Sequence, residues 1–157
     1  MKARELMTAQ PEIVTPEESV TAAARLMRKH DIGAVPVVGD DVSRRLEGIL
    51  TDRDIVVRHV AAGHRAECAV AEHMTRREDP ETFATAREED TVDHLLDLMR
   101  THAVRRIPIV DENDEHLVGI VAQADVLRLY GAEHPADLER VLSEISAPAH
   151  PHPVTTA

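Results

Sequence analysis

The sequence predicts an α/β (α+β) chain in which two copies of a βαββα unit pack on each other, and three observations carry that prediction. The chain echoes itself: Arg25-Leu26-Met27-Arg28-Lys29-His30 returns as Asp97-Leu98-Met99-Arg100-Thr101-His102, and Val35-Pro36-Val37-Val38 returns as Ile107-Pro108-Ile109-Val110, both 72 positions on. Each copy holds one stretch with helical apolar spacing. Each also holds two short apolar runs joined by a polar turn, the pattern of a hairpin.

In copy one, Gln10 to Thr15 reads as a short extended segment. Val20, Ala23, Ala24 and Met27 then fall at i, i+3, i+4 and i+7 and give a helix one apolar face, and Val92, Leu95, Leu96 and Met99 repeat it. Ala34 to Val38 and Leu46 to Leu50 form the first hairpin, Arg106 to Val110 and Leu117 to Val121 the second. The residues before Pro36 and Pro108 are biased to extended backbone, which suits a strand start or a sheet edge. Each copy closes on a helix: Asp52 to Ala62, with Ile55, Val56, Val57 and Val60 as its apolar residues, and Gln123 to Tyr130, which Gly131 is expected to stop.

Leu46-Glu47-Gly48-Ile49 matches Leu117-Val118-Gly119-Ile120 at an offset of 71, and Leu6-Met7-Thr8 matches His73-Met74-Thr75 at 67. The extra residues of copy two are assigned to the polar run Arg76 to Thr82. A sheet of about three strands with two helices is too small to bury its apolar surface alone, so the copies should share one globule. The expected division is 1–64 and 65–131 for the repeats, with 132–157 left for a further amphipathic helix, Pro135 to Ile145, and a disordered tail.

Composition removes several functions. With 18 basic against 29 acidic residues the formal charge is -11, which opposes a phosphate backbone, and one Phe, one Tyr and no Trp leave no base-stacking platform. Nucleic acid is not an expected partner. Cys68 is the single cysteine, so no internal disulfide forms, and it reads as an inert side chain rather than a nucleophile. No run approaches a membrane span and no leader is visible, so a cytoplasmic protein without a membrane partner is expected. His30, His59, His64, His73, His94, His102, His116 and His134 read as scattered, without a close cysteine or a short paired spacing, so no metal site is expected. No Ser/His/Asp or Cys/His constellation can be argued either, so no catalytic residue is assigned and the chain is not expected to be an enzyme.

The chemistry concentrates in Gly48-Ile49-Leu50-Thr51-Asp52-Arg53-Asp54, where a buried strand runs into a helix. Thr51 stands where an N-cap would, and Asp54 lies in the first turn, where negative charge suits the helix dipole. The same groups, a hydroxyl and a carboxylate beside free backbone N–H groups, suit a phosphate and a ribose diol.

The repeat, the Met-Thr at each start, the Val-Pro-Val-Val and Ile-Pro-Ile-Val strands and the Gly-Ile-Leu-Thr-Asp-Arg-Asp stretch together resemble a tandem pair of CBS domains over roughly Ala3 to Tyr130. They are most similar to the small stand-alone bacterial proteins of that family, the hypoxic-response type among them. The resemblance implies a pseudo-twofold Bateman module that forms a homodimer, catalyses nothing, and binds an adenosyl ligand such as AMP, ATP or S-adenosylmethionine between its repeats. It implies no covalent cofactor. By the family's ligand motif, Thr51 would meet a phosphate and Asp54 a ribose, with Arg53 between them. Asp125 keeps the carboxylate in copy two, but Ala122 replaces the hydroxyl. Arg105 and Arg106 align with Gly33 and Ala34, at a place where relatives reach phosphates held by the other copy. The resemblance thus implies a composite site of Thr51 and Asp54 with Arg105 or Arg106, and Ile13 and Val14 as an apolar wall and backbone edge for adenine. A protein that reads the ligand state would be the regulated partner. The alternative is a ligand-free CBS pair acting as a dimeric interaction or structural module.

Overall fold

In chain order the elements are α1 (Ala3–Leu6), β1 (Thr8–Ala9), α2 (Val20–His30), β2 (Ala34–Val38), β3 (Leu46–Thr51), α3 (residues 52–60), β4 (Thr75–Arg76), β5 (Ala86–Arg87), α4 (Val92–Thr101), β6 (Arg106–Val110), β7 (Leu117–Ala122) and α5 (residues 123–133). The computed structural model describes residues 1–113, 115–134 and Ser143. The helix expected over Pro135 to Ile145 and the tail after it lie, Ser143 aside, outside the described residues.

The two long helices form where the apolar spacing puts them. Ser19 caps α2 by accepting the Ala22 N–H, and Thr91 caps α4 by accepting the His94 N–H. Val20, Ala23 and Met27 of α2 are buried, as are Val92, Leu95, Leu96 and Met99 of α4. Both helices end in the same way: Asp31 and Ala103 turn into the left-handed region, and the N–H groups of Ile32 and Val104 return to the carbonyls of Met27 and Met99.

Each hairpin is antiparallel, β2 with β3 and β6 with β7, with an irregularity at the same place, after Val37 and after Ile109. Pro36 sits mid-strand at no cost to this ladder, because its backbone faces away from β3 and its carbonyl takes the Val14 N–H. Val14 makes a parallel bridge to Val37, and Ala86 of β5 makes the same pairing to Ile109.

The sheets are not closed within the repeats. Their strand orders are β2-β3-β4 and β1-β7-β6-β5, so Thr8–Ala9 from the start of repeat one pairs with β7 of repeat two, and Thr75–Arg76 from the start of repeat two pairs with β3 of repeat one. Ala3 and Leu6 follow the exchanged strand into the core of repeat two, beside Leu95, Ile107 and Val126.

The repeats meet as expected for one globule. Ala34, Val38, Leu46 and Ile49 of repeat one pack with Phe83, Val110 and Leu117 of repeat two, and Ile13 and Ile120 lie against them. Reciprocal bonds join the hairpins: the Leu46 N–H donates to the Glu115 carbonyl (2.9 Å) and the Leu117 N–H to the Arg44 carbonyl (2.9 Å). Each fully buried aliphatic side chain on such a seam contributes about 1.5–3 kcal/mol.

The closing helices depart from expectation. In α3 an α-turn, Asp52–Asp54, opens into a π-helix, Ile55–Val60, seen in the bond from the Ala61 N–H to the Val56 carbonyl. The wider winding turns His59 inward and leaves Val56, Val57 and Val60 59%, 53% and 63% exposed, so of the expected apolar residues only Ile55 packs on the core. In α5 the π segment is Val126–Tyr130, and the helix continues through Gly131–Glu133 because Gly131 keeps right-handed helical angles instead of stopping it. No helix among the described residues is long and apolar enough to cross a membrane.

Candidate functional site

At the β3–α3 junction the cap and the candidate ligand groups are the same atoms. The Thr51 hydroxyl accepts the Asp54 N–H (3.1 Å) and donates to Asp54 Oδ2 (2.8 Å), and the same Oδ2 accepts the Thr51 N–H (3.0 Å). This reciprocal capping box fixes both side chains. Asp54 Oδ1 faces the Arg58 guanidinium at 3.5 Å. Arg53 is exposed, its N–H held by Asp52 Oδ1 at 2.7 Å. In repeat two Asp125 Oδ2 accepts the Ala122 N–H at 3.0 Å, but no hydroxyl completes the box.

Arg106 reaches across the repeats. A methyl group at Gly33 would lie 2.9 Å from Arg106 Nη2 and 2.8 Å from Asp52 Oδ2, so a guanidinium from repeat two and a carboxylate beside Thr51 converge on one bare stretch of backbone. That backbone is fixed, since the Gly33 carbonyl accepts the Asp52 N–H. Arg106 is half-buried and Arg105 exposed. Ile13 is half-buried on the inter-repeat seam. Val14 corrects the sequence reading: it is 2% exposed, its N–H and carbonyl both bond to β2, and it has no free backbone edge for a base.

A second group of residues escaped the sequence reading. The histidines that looked scattered are in part gathered by the fold: one ligand atom from each of His64, Cys68, Glu72 and His73 lies within 4.8 Å of the others. His64 and Cys68 come from the linker after α3, residues 61–69, while Glu72 ends the 3-10 turn Val70–Glu72 that precedes β4 and His73 caps it. His59, turned inward by the π-helix, places Nδ1 3.2 Å from His73 Nε2. Burial lowers the His73 pKa below its ordinary value, and His59 and His64 lower it further, so the ring is held neutral. The signal in the sequence was His64, Cys68 and Glu72 at steps of four, with His73 adjoining.

The donor set fits a zinc-like ion: imidazole nitrogens and a thiol are the borderline-soft ligands that such an ion takes, and two imidazoles on one tetrahedral zinc keep their nitrogens about 3.4 Å apart. Neutral His73 needs no deprotonation to bind.

The CBS domain family model matches residues 3–59 and 70–132, so this chain belongs to the CBS-domain family and carries the domain twice. It is similar to Hypoxic response protein 1 of Mycobacterium tuberculosis, 44% identical over 126 residues that cover 80% of this chain and 82% of the relative. Among solved structures, Hypoxic Response Protein I with two coordinated zinc ions matches at a TM-score of 0.71 and 39% identity, covering 82% of this chain and 98% of that one. The CBS domain pair of protein MJ0100, in complex with 5′-methylthioadenosine and S-adenosyl-L-methionine, matches at 0.69 and 30% identity, covering 85% and 98%.

Proposed function

We propose that this chain is a non-catalytic regulatory module that binds an adenosyl ligand between its repeats, using Thr51 and Asp54 of repeat one and Arg106 of repeat two. The observation that carries this reading is the convergence of Arg106 and Asp52 on Gly33, one strand away from the Thr51–Asp54 box. Asp54 retains acceptor capacity on Oδ1 for a ribose diol, and Ile13 lies where an apolar wall is needed. Arg106, with Arg105 outside it, would take the phosphates of AMP or ATP as charge-assisted bonds. The ligands of the MJ0100 pair support the adenosyl class. A ligand that prefers one conformation shifts its population, and a regulated protein reads that shift.

The module acts as a homodimer in this reading. Val56, Val57 and Val60 form an exposed apolar stripe that a second copy would cover, and light scattering should give about twice 17.4 kDa.

Calorimetric titration with S-adenosylmethionine, 5′-methylthioadenosine, AMP and ATP tests the ligand reading. Wild type should bind at least one, and Asp54→Ala should lose roughly tenfold or more in affinity, as expected when a buried polar contact loses its partner. No heat with any of the four would leave the ligand-free interaction module as the function.

A second reading concerns His64, Cys68 and His73, with Glu72 or His59 completing the set. These residues would hold a divalent zinc-like ion, and the zinc-bound relative supports that class. Such an ion would supply a structural crosslink from the linker to the start of repeat two. One bound zinc per chain by elemental analysis, lost in Cys68→Ser/His73→Ala, is the expected result.

A further inference from the structure

The two candidate sites share a side chain. Arg58 pairs with Asp54 Oδ1 through Nε (3.5 Å), while its Nη1 donates to the His73 carbonyl (3.0 Å) and approaches the Thr75 hydroxyl (3.3 Å). One guanidinium therefore spans from the carboxylate of the adenosyl site to the backbone of a metal-site residue. Its planar fork allows this: one edge faces the carboxylate while another nitrogen holds the carbonyl.

Repeat two has no arginine or histidine at the matching places. There the offset of 71 puts Leu129 at the place of Arg58 and Tyr130 at that of His59, and Leu6 stands at the place of His73. These three belong to an apolar cluster. Asp125 has Arg128 at 3.5 Å, but that side chain is 70% exposed. The fold thus closes without the polar link, and repeat one carries it in addition.

We infer that occupancy of the His64/Cys68/His73 site by a zinc-like ion tightens binding of the adenosyl ligand at Asp54, with Arg58 as the positioning residue that couples the two. An ion held by His73 fixes the residue whose carbonyl anchors Arg58. The anchored guanidinium in turn fixes Asp54 in one orientation before the ligand arrives, so less ordering is left to the binding step. Coupling of this kind is reciprocal, so the ligand must tighten the ion by the same factor. The inference rests on both readings given above, and its test separates their failure from its own.

S-adenosylmethionine and, in parallel, AMP are titrated by calorimetry into full-length protein stripped with a chelator and into protein loaded with one equivalent of zinc. Affinity should rise roughly fivefold or more on loading, the lower end of typical allosteric coupling. Zinc affinity, followed with a competing chromophoric chelator, should rise equally when S-adenosylmethionine is saturating; this second arm uses wild type only. Arg58→Gln should still bind zinc and ligand, with a ligand affinity that no longer depends on zinc. Equal or weaker ligand binding in the loaded protein overturns the inference while leaving both sites standing. Absence of zinc binding, or of any adenosyl binding, overturns the corresponding site and the inference together. Coupling that persists in Arg58→Gln overturns the role given to Arg58.

Discussion

Where each closing helix meets the start of the other repeat, repeat one brings Arg58 and His59 against His73, whereas repeat two seals the equivalent corner with Leu6, Leu129 and Tyr130. The backbone is the same in both, an α-turn opening into a π-helix beside a borrowed strand. A fold that closes this corner with apolar side chains does not require two imidazoles and a guanidinium there. Burying the two imidazoles costs free energy unless each is partnered, so their presence at this corner points to chemistry rather than packing. The same asymmetry continues outward: the Thr51 hydroxyl completes a box that Ala122 cannot, and Val56 and Val60 are exposed while Leu127 and Gly131 at the matching places are half-buried and buried. The corner closed by α5 is the scaffold-like one, and the corner closed by α3 gathers the polar groups of both repeats.

The largest test of this division uses the matching glycines. A methyl group at Gly48 would lie 2.4 Å from the Thr75 carbonyl oxygen, backbone of the borrowed strand β4, whereas one at Gly119 would meet the flexible Met7 thioether at 2.4 Å. Gly48→Ala should therefore cost about 3 kcal/mol by forcing β3 and β4 apart, and Gly119→Ala only about 1 kcal/mol. Urea denaturation of the two variants measures the gap. Equal costs would mean that the two borrowed strands are held alike.

A smaller effect comes from exchanging the cap residues. Thr51→Ala should lose about 1 kcal/mol of stability with the cap bond, and Ala122→Thr should gain about 0.5 kcal/mol by completing the box around Asp125. If Ala122→Thr also gives a second adenosyl binding event in calorimetry, the missing hydroxyl is what silences the second cleft. If it stabilises without adding a site, the cap and the ligand function separate.

The parts of this architecture that were legible in the sequence are those set by local periodicity. The apolar faces of α2 and α4 and the strands Ala34–Val38 and Arg106–Val110 stand where the residues put them, because one buried face per element fixes both spacing and register. The exchange of Thr8–Ala9 and Thr75–Arg76 was not legible, since two-residue strands carry no period and their partners lie in the other repeat. The outward turn of Val56, Val57 and Val60 was missed because a helix of 3.6 residues per turn was assumed where the chain winds wider. For the candidate site, the Thr51 and Asp54 box was readable as a cap, and a reach of Arg105 or Arg106 towards repeat one was implied by the family resemblance, while the meeting of Arg106 with Gly33 was not readable. The His64, Cys68, Glu72 and His73 group was not, although its steps of four were present, because a linker has no helical face on which such spacing would ordinarily converge.

The hairpin turns carry the smallest difference between the repeats. In the first, Asp40 accepts the Ser43 hydroxyl (2.6 Å) and the N–H groups of Val42 and Ser43, which hold its carboxyl below the usual range. In the second, Asp111 accepts His116 Nδ1 (3.0 Å) and the N–H groups of Glu115 and His116, and the His116 side-chain bond leads in lowering its pKa from 3.8 to about 2. Both folded values lie below the unfolded one of 3.8, so each turn is stabilised above that pH and loses the contribution as pH falls through its folded value, which for Asp111 is about 2. His116→Ala removes the leading partner of Asp111 but only the weakest influence on Asp40. Carboxyl NMR titration should therefore show the Asp111 midpoint rising towards 3.8 in this variant while that of Asp40 barely moves. Movement of both midpoints together would show that the two turns titrate as one unit across the seam, where Arg45 and His116 already bridge them.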